Sequence, residues 1–329
     1  MPSQLPQILQ FSAFPVSEFS RQQLVDKVQV QSLSREAFLE GNDDFSETVG
    51  LFVLLTDKVD VAVLDRLPNL RVITNYGAGF NNIDVEEATR RGIQVTNTPG
   101  ILSEATADLT WGLMIAAARH IVPSDKLVRA GGFTGWQPEL QLGKDLCGQT
   151  LGIVGLGDIG EKVARRAKGF EMRVVYYNRT RKSPEIERQL GAEYVSFDKL
   201  VAESDVISIH TPLTPETRHL FDTSTLNRMK PGSILINTSR GPVVDEAALV
   251  DVLQSGHLYA AGLDVFEEEP KVHPGLLDLD NVVMAAHIGS ATYNTRTRMG
   301  DLAIENLLMA LAGKMLPNPV NMVATQTIS

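Results

Sequence analysis

The sequence predicts an α/β protein of two domains, each built on a parallel sheet with helices on both faces. Two observations indicate this fold class. Short apolar runs alternate with helical patterns over residues 51–96, and the same alternation restarts at Leu151. A glycine-rich loop between a strand and a helix also occurs near the middle of the 329-residue chain, at Gly155, Gly157 and Gly160. A chain of this length can bury two separate cores.

The first alternation predicts a small α/β domain. Its elements are expected as strands at 51–55, 71–75 and 93–96 and a helix at 84–91. A long helix follows, from the N-capping residue Ser103 to about His120, because Leu109 and Leu113 recur at helical spacing. We interpret this helix as the bridge into the second domain, and the glycine-containing, polar stretch 131–144 as a loop.

The second alternation predicts a larger parallel sheet. Its strands are expected at 151–154, 173–177, 206–210, 233–237, 260–264 and 282–285. Helices fill the gaps, including one at 245–254 after Asp245. One more helix, at about 292–313, precedes the proline-rich segment LPNPVN. We expect this last segment to pack back on the first domain, which would make that domain discontinuous.

Composition excludes several classes of function. The formal net charge of -10 argues against nonspecific binding to nucleic acid or to an anionic membrane. Cys147 is the single cysteine, so an intrachain disulfide is excluded. The N-terminus lacks the pattern of a secretory signal, and no apolar run is long enough to span a bilayer. We therefore expect a cytoplasmic protein, and the sequence predicts no metal site.

The stretch LGIVGLGDIG at 151–160 predicts a dinucleotide site. In such a loop Gly155 permits the tight turn, Gly157 lets the backbone approach the phosphates, and Gly160 lets the helix pack closely on the strand. Free N–H groups at the start of the helix then face the pyrophosphate. Strand, glycines, helix and a second strand follow one another in the required order. The alternative is a glycine-rich turn in some other α/β protein.

The end of the second strand of this unit predicts which dinucleotide binds. An acidic residue at this position usually holds the ribose hydroxyls, but here the position holds Asn178. Arg179, Thr180 and Arg181 follow it. A neutral amide, a hydroxyl and two guanidinium groups would accept a 2′-phosphate, which a carboxylate would repel. The sequence thus predicts a preference for NADP(H) over NAD(H). The alternative is that both arginines are solvated surface charges.

Three segments at the ends of predicted strands carry side chains suited to reducing a 2-oxo acid. Arg240 can bind a carboxylate with two hydrogen bonds and polarise the neighbouring ketone. His287 can donate a proton to the developing alkoxide. A carboxylate paired with that histidine would keep it protonated, and the residues alone leave three candidates for this partner, Glu267, Glu268 and Glu269.

The chain resembles the D-isomer-specific 2-hydroxyacid dehydrogenase family. The resemblance lies in NYGAGFNNID at 75–84, HTPLTPETRHL at 210–220 and AAHIGSAT at 285–292, and covers most of the sequence. It implies two Rossmann-like domains with the substrate in the cleft between them. The flavodoxin-like, substrate-binding domain would comprise residues 1–101 and 291–329, and the NAD(P)-binding Rossmann domain residues 102–290.

The resemblance also implies the roles of individual residues. The catalytic arginine falls on Arg240, the proton donor on His287 and the family's glutamate on Glu269, and Asp264 would contact the nicotinamide amide. The substrate contacts it implies are Arg240, His287, Asn75 and the backbone of Ala78 and Gly79. The cofactor contacts expected from the residues and the resemblance together are Thr106, Gly155, Leu156, Gly157, Asp158, Ile159, Gly160, Asn178, Arg179, Thr180, Arg181, His210, Thr211, Pro212, Thr238, Ser239, Arg240, Asp264, His287, Gly289 and Ser290.

Within the family the chain looks most like the glyoxylate/hydroxypyruvate reductases. The implied function is reduction of a small 2-oxo acid to the D-2-hydroxy acid, by hydride transfer from NADPH with His287 as general acid. NAD-dependent enzymes for 2-ketogluconate or phosphoglycerate remain an alternative, and a nucleotide-sensing corepressor is a more distant one. Two residues depart from relatives: Asp158 where many have arginine, and Asn75 where some have a basic residue.

The resemblance further suggests a homodimer. The long helix after Ser103 carries apolar residues on more than one face, including Trp111, Met114 and Ile115. In the family this helix builds the dimer interface. The alternative is an internal core helix, and the sequence does not separate the two.

Overall fold

The computed structural model describes residues 5–323. The chain divides into two compact units. The first is formed by residues up to Leu102 together with those from Ala291 onward, and the second is formed by Ser103–Ser290. Each unit contains one parallel sheet with helices on both faces, so the predicted fold class is confirmed. No helix within the described residues is both long and apolar enough to cross a membrane.

The first unit contains a five-stranded parallel sheet in the order β2-β1-β3-β4-β5. Its strands are β1 (Gln7–Gln10), β2 (Gln29–Ser32), β3 (Thr48–Leu54), β4 (Val72–Tyr76) and β5 (Gln94–Thr96). Its helices are α1 (Glu18–Val25), α2 (Arg35–Glu40), α3 (Val61–Asp65), α4 (Val85–Arg90) and, near the end of the chain, α13 (Tyr293–Leu311). This strand order is the flavodoxin-like one.

Alternating side chains of this sheet form two cores. On one face Ile8 and Phe52 pack against Leu307 of α13. On the other face Leu9 and Leu51 join the cluster that includes residues of α2, α3 and α4. The segment after α13 returns to β5 as expected: Val320 N–H donates to Val95 O at 2.8 Å, and Val95 N–H donates to Asn321 Oδ1 at 2.8 Å.

The second unit contains a seven-stranded parallel sheet in the order β12-β11-β10-β9-β6-β7-β8. Its strands are β6 (Thr150–Val154), β7 (Arg173–Tyr177), β8 (Ala192–Tyr194), β9 (Val206–Ile209), β10 (Ile234–Asn237), β11 (Ala260–Leu263) and β12 (Val282–Met284). Its helices are α5 (Ser103–Ala118), α6 (Ile121–Arg129), α7 (Asp158–Ala167), α8 (Pro184–Leu190), α9 (Phe197–Glu203), α10 (Thr223–Arg228), α11 (Glu246–Gln254) and α12 (Pro274–Leu277). The strand order reverses between β6 and β9, and such a reversal opens a crevice at the carboxyl ends of the strands.

Helix α5 is largely a core helix of this unit. Trp111 is 5% exposed and stacks on Phe170 with ring centroids 4.3 Å apart, while its Nε1 donates to Val163 O at 3.2 Å. Met114 is fully buried. Of the three residues that suggested a dimer helix, only Ile115 is partly exposed. The core interpretation therefore applies to most of the apolar surface of α5.

Candidate active site

The glycine-rich loop joins β6 to α7, as predicted. Gly155 has φ 98°, a left-handed conformation that side chains disfavour, and a Cβ there would lie 2.7 Å from the carbonyl carbon of His210. A Cβ at Gly160 would overlap the carbonyl oxygen of Gly155. Both positions therefore require glycine, because the start of α7 packs directly on the loop and the loop directly on the segment after β9.

Asn178 has a structural role in this loop. Its Oδ1 accepts a hydrogen bond of 2.6 Å from the Leu156 N–H, which links the end of β7 to the glycine-rich turn. The side-chain oxygen of Asn178 is thus already hydrogen-bonded to the loop. Asp158, in the first turn of α7, is exposed. The residue that departs from the family pattern therefore places a carboxylate at the end of the helix that would face the pyrophosphate.

A cavity of about 420 Å³ opens beside this loop. It is lined by Val154, Gly155, Leu156, Gly157, Tyr177, Asn178, Arg179, Thr180, Lys182, His210, Thr211, Pro212, Thr214, Glu216, Thr217 and Leu220. Most of the predicted contacts at this end of the site therefore line one cavity. Arg181 is not among its lining residues: its guanidinium forms a two-pronged ion pair with Glu187, at 2.7 Å for each bond, and lies over the Tyr194 ring. The prediction of Arg181 as a cofactor contact is therefore not supported, because Glu187 already occupies its fork.

Two buried polar atoms in this cavity lack a partner among the described residues, His210 Nδ1 and Thr211 Oγ1. The other ring nitrogen of His210 hydrogen-bonds to Ser208 Oγ at 2.8 Å. Burial lowers the pKa of His210 to about 3, so the ring is neutral. Unpaired buried polar groups are costly unless a ligand satisfies them. These atoms, together with the close backbone of the glycine-rich loop, fit a bound dinucleotide.

A second group of predicted residues meets after β10, β11 and β12. Asp264, 1% exposed, accepts hydrogen bonds from Ile288 N–H at 2.7 Å and Gly289 N–H at 2.8 Å. A Cβ on Gly289 would lie 3.1 Å from Asp264 and 3.3 Å from Thr106 Oγ1, so these residues are neighbours. Burial raises the pKa of Asp264. Its carboxylate thus holds the segment that carries His287, and a nicotinamide contact stays a prediction.

The turn after β10 is held by buried polar side chains. Thr238 Oγ1 shares a hydrogen bond of 2.9 Å with Thr110 Oγ1. Ser239 Oγ donates to Asn237 Oδ1 at 2.8 Å, and Asn237 Nδ2 donates to Arg240 O at 2.9 Å. These bonds fix the backbone of Arg240, whose side chain is half-buried and donates to Ser239 O at 2.7 Å. Burial lowers the pKa of Arg240, with Glu269 acting in the opposite direction, and an arginine remains charged.

The structure separates the three candidate glutamates. Glu269 Oε2 accepts a hydrogen bond of 2.9 Å from His287 Nδ1, and its Oε1 accepts from Phe266 N–H at 3.0 Å. Glu267 pairs instead with His219 Nε2 at 2.5 Å, and among the described residues the Glu268 carboxylate has no hydrogen-bond or ion-pair partner. Burial alone would raise the pKa of Glu269, but the hydrogen bond and charge of His287 hold it below its usual range. Since Glu269 engages Nδ1, the proton available for transfer lies on Nε2.

Two amide side chains hold the loop after β4 in the first unit. Asn75 Nδ2 donates to Gly79 O, and Asn97 Nδ2 donates to Ala78 O, each at 2.7 Å. Because a trans peptide points its C=O and N–H in opposite directions, the N–H groups of Gly79 and Phe80 face away from these side chains. Asn75 itself is fully buried. The amide therefore shapes the loop, and a substrate contact by Asn75 stays a prediction.

Comparison with known proteins identifies the family of this chain. The sequence profile described as "D-isomer specific 2-hydroxyacid dehydrogenase, NAD binding domain" matches residues 111–289. This chain belongs to that family. It is 53% identical to a glyoxylate reductase of Thermococcus litoralis over 84% of each chain, and 53% identical to one of Aeropyrum pernix over 84% of this chain and 83% of the relative.

A solved structure is similar to this chain over almost its full length. It is an NADPH-dependent glyoxylate/hydroxypyruvate reductase of Sinorhizobium meliloti in complex with NADP and malonate. The two chains share 32% identity with a TM-score of 0.89, and the match covers 98% of this chain and 99% of the other. This protein is an NAD(P)-dependent 2-hydroxyacid dehydrogenase that acts on a small 2-oxo or 2-hydroxy acid.

Some cavity residues of this dehydrogenase escaped the sequence analysis. They are Val154, Tyr177, Lys182, Thr214, Glu216, Thr217 and Leu220. The last four lie in the segment HTPLTPETRHL, in which the sequence predicts contacts only at His210, Thr211 and Pro212. The position of the whole segment directly after β9, at the reversal of strand order, was the available signal.

Proposed function

We propose that this dehydrogenase reduces glyoxylate and hydroxypyruvate, with NADPH as its preferred cofactor and with a D-configured product where the product is chiral. The observation that carries the proposal is the Glu269–His287 pair, which lies at the carboxyl ends of the strands in the same unit as Arg240 and the dinucleotide cavity. The glyoxylate reductases among its relatives support the choice of substrate.

The residues divide the chemistry between them. Arg240 binds the substrate carboxylate through its fork and polarises the ketone oxygen. His287 donates its Nε2 proton to that oxygen as negative charge develops on it. Glu269 stays ionised, orients the imidazole through Nδ1 and stabilises its charged form. When bound, the reduced nicotinamide supplies the hydride that the carbonyl carbon receives.

A substrate panel tests the proposed reaction. Oxidation of NADPH and of NADH is followed with glyoxylate, hydroxypyruvate, pyruvate, 2-ketogluconate and 3-phosphohydroxypyruvate. We expect the highest kcat/KM with glyoxylate or hydroxypyruvate and NADPH. A higher kcat/KM for 2-ketogluconate or 3-phosphohydroxypyruvate would contradict the proposed substrate, and a higher value with NADH would contradict the cofactor preference.

Arg179 is the residue that we propose binds the 2′-phosphate. It lines the cavity, whereas Arg181 is engaged by Glu187. Replacing Arg179 by alanine should raise KM for NADPH by about 10- to 100-fold and leave KM for NADH almost unchanged, because one charge-assisted hydrogen bond contributes about 1.5–3 kcal/mol. Steady-state kinetics with both cofactors measure this effect.

Arg181→Ala is the matched control for Arg179→Ala. We expect it to leave the ratio of the two KM values within about twofold, since an exposed ion pair contributes only about 0–1 kcal/mol and the guanidinium lies outside the cavity. A larger change of cofactor preference in Arg181→Ala than in Arg179→Ala would reverse the assignment.

We also propose that the protein pairs with a second copy of itself through the segment that follows α5. Large apolar side chains are exposed there, namely Ile121 (49%), Val128 (56%), Phe133 (54%), Trp136 (84%) and Leu142 (66%). Apolar surface of this extent is typical of an interface between subunits. Sedimentation velocity should give the mass of a dimer, and a monomer at micromolar concentration would contradict the proposal.

A further inference from the structure

Glu246 is a buried carboxylate to which the mechanism above gives no role. It is the first residue of α11 and is 7% exposed. Its Oε1 accepts from Glu267 N–H at 2.8 Å, and its Oε2 accepts from His273 N–H at 3.3 Å. One carboxylate therefore binds both ends of the segment 267–273, which carries Glu269.

Helix capping does not explain this side chain. Asp245 is the N-cap of α11 and already accepts from Ala248 N–H at 3.0 Å. Burial, and after it the nearby Glu267, raise the pKa of Glu246. An acidic group is thus kept buried at a cost in free energy, and its two acceptor bonds go to the backbone of the segment that bears Glu269.

We propose that Glu246 is a positioning residue that holds Glu269 within hydrogen-bonding distance of His287. The inference rests on the proposed role of the Glu269–His287 pair. That pair is 2.9 Å long, and a displacement of the segment by about 1 Å would take it out of hydrogen-bonding range. The contact from Phe266 N–H to Glu269 restrains only one end of the side chain.

Loss of Glu246 leaves two backbone N–H groups without their acceptor. Such groups cost about 1–3 kcal/mol each when they stay buried, so the segment should shift toward water to satisfy them. Glu269 would then support the charged form of His287 less well. The other charged groups that face the pair are Arg240 and Asp264, both on different elements, and neither is tied to Glu246.

Charged groups also face Glu246 itself. Glu267 lies beside it, with Oε2 3.5 Å from the Glu246 N–H, and its Oε1 is paired with His219 at 2.5 Å and with Arg218 at 3.6 Å. His273 is the remaining titratable neighbour. These groups are present in every variant described below.

The test is the pH profile of kcat for glyoxylate reduction by NADPH. Glu269→Gln sets the scale: it should move the alkaline limb, where the general acid loses its proton, about one unit to lower pH. We expect Glu246→Ala to move the same limb in the same direction by at least half as much. Glu246→Gln should move it less, because the amide oxygen still accepts from one of the two N–H groups. In all three variants kcat should fall more than KM for glyoxylate rises.

Glu268→Gln is the matched control, since Glu268 lies in the same segment but its carboxylate contacts neither His287 nor Glu246. The alkaline limb of its kcat–pH profile should coincide with that of the wild type. One outcome would overturn the inference and leave the proposed function intact. In that outcome Glu269→Gln moves the alkaline limb, whereas the Glu246 variants lower kcat at every pH without moving it. An unmoved limb in Glu269→Gln would overturn both. If Glu246→Ala does not fold, the position of the alkaline limb in the isosteric variant Glu246→Gln tests the inference instead.

Discussion

Replacing His287 by asparagine should lower kcat for glyoxylate reduction by about 10²–10⁴-fold, the typical contribution of a general acid. Asparagine is the informative substitution because His287 has φ 52°, a left-handed conformation that asparagine tolerates better than alanine. The side chain then cannot donate a proton from the position of Nε2, while the backbone of the segment keeps its conformation. Steady-state kinetics at saturating NADPH measure the loss.

His120→Asn is the matched control for this substitution. His120 also has a positive φ, 49°, and is hydrogen-bonded to Tyr259 Oη at 2.5 Å, on an element remote in sequence from the catalytic segments. We expect its kcat to stay within a few-fold of the wild type. Binding of NADPH, followed by fluorescence, should be retained in both variants. Near-normal turnover by His287→Asn would refute the general-acid role.

Replacing Arg240 by lysine should lower kcat/KM for glyoxylate by about 10²–10³-fold, the range for removing one donor that stabilises developing charge. Lysine keeps the positive charge but not the planar fork, so it cannot bind the carboxylate and the ketone oxygen together. The backbone around Arg240 is held by Asn237 and would be unaffected. Initial rates over a range of glyoxylate concentrations measure the change.

The control for Arg240→Lys is Arg173→Lys. Arg173 lies in the same unit, at the start of β7, and pairs with Glu193 at 2.6 Å on the surface. We expect no change in its kcat/KM, since an exposed ion pair tolerates either cation. If Arg240→Lys also retained full kcat/KM, the fork would not be the group that recognises the substrate, and the charge alone would suffice.

Much of the fold was predictable because buried parallel strands are continuous apolar runs. Strands β3 to β7 and β9 to β12 were expected from such runs, and each lies within a few residues of its predicted bounds. Strands β1, β2 and β8 were missed. All three are short. The sequences of β2 (QVQS) and β8 (AEY) contain no apolar run, and these two segments are strands only because β2 pairs with β1 and β8 pairs with β7.

The residues of the candidate site also fall into those that local sequence predicts and those that it does not. The positions of Gly155, Arg240 and His287 follow from local sequence, because each lies at the end of a recognisable strand. The contacts of Asn75, Asn178 and Arg181 do not, because a side chain's partners depend on which distant segments fold beside it.

Local sequence is enough to predict the fold class and the place of the dinucleotide loop, and it carries the resemblance that selects Glu269. Apolar periodicity and glycine spacing are local properties of the chain, so they can be recognised in the sequence alone. Folding in three dimensions is what pairs Glu267 with His219 and Glu269 with His287. It also brings Glu187 to Arg181, and Glu246 to the segment that carries Glu269. Hydrogen bonds act over about 3 Å, so partners far apart in the chain are chosen by packing and not by sequence spacing.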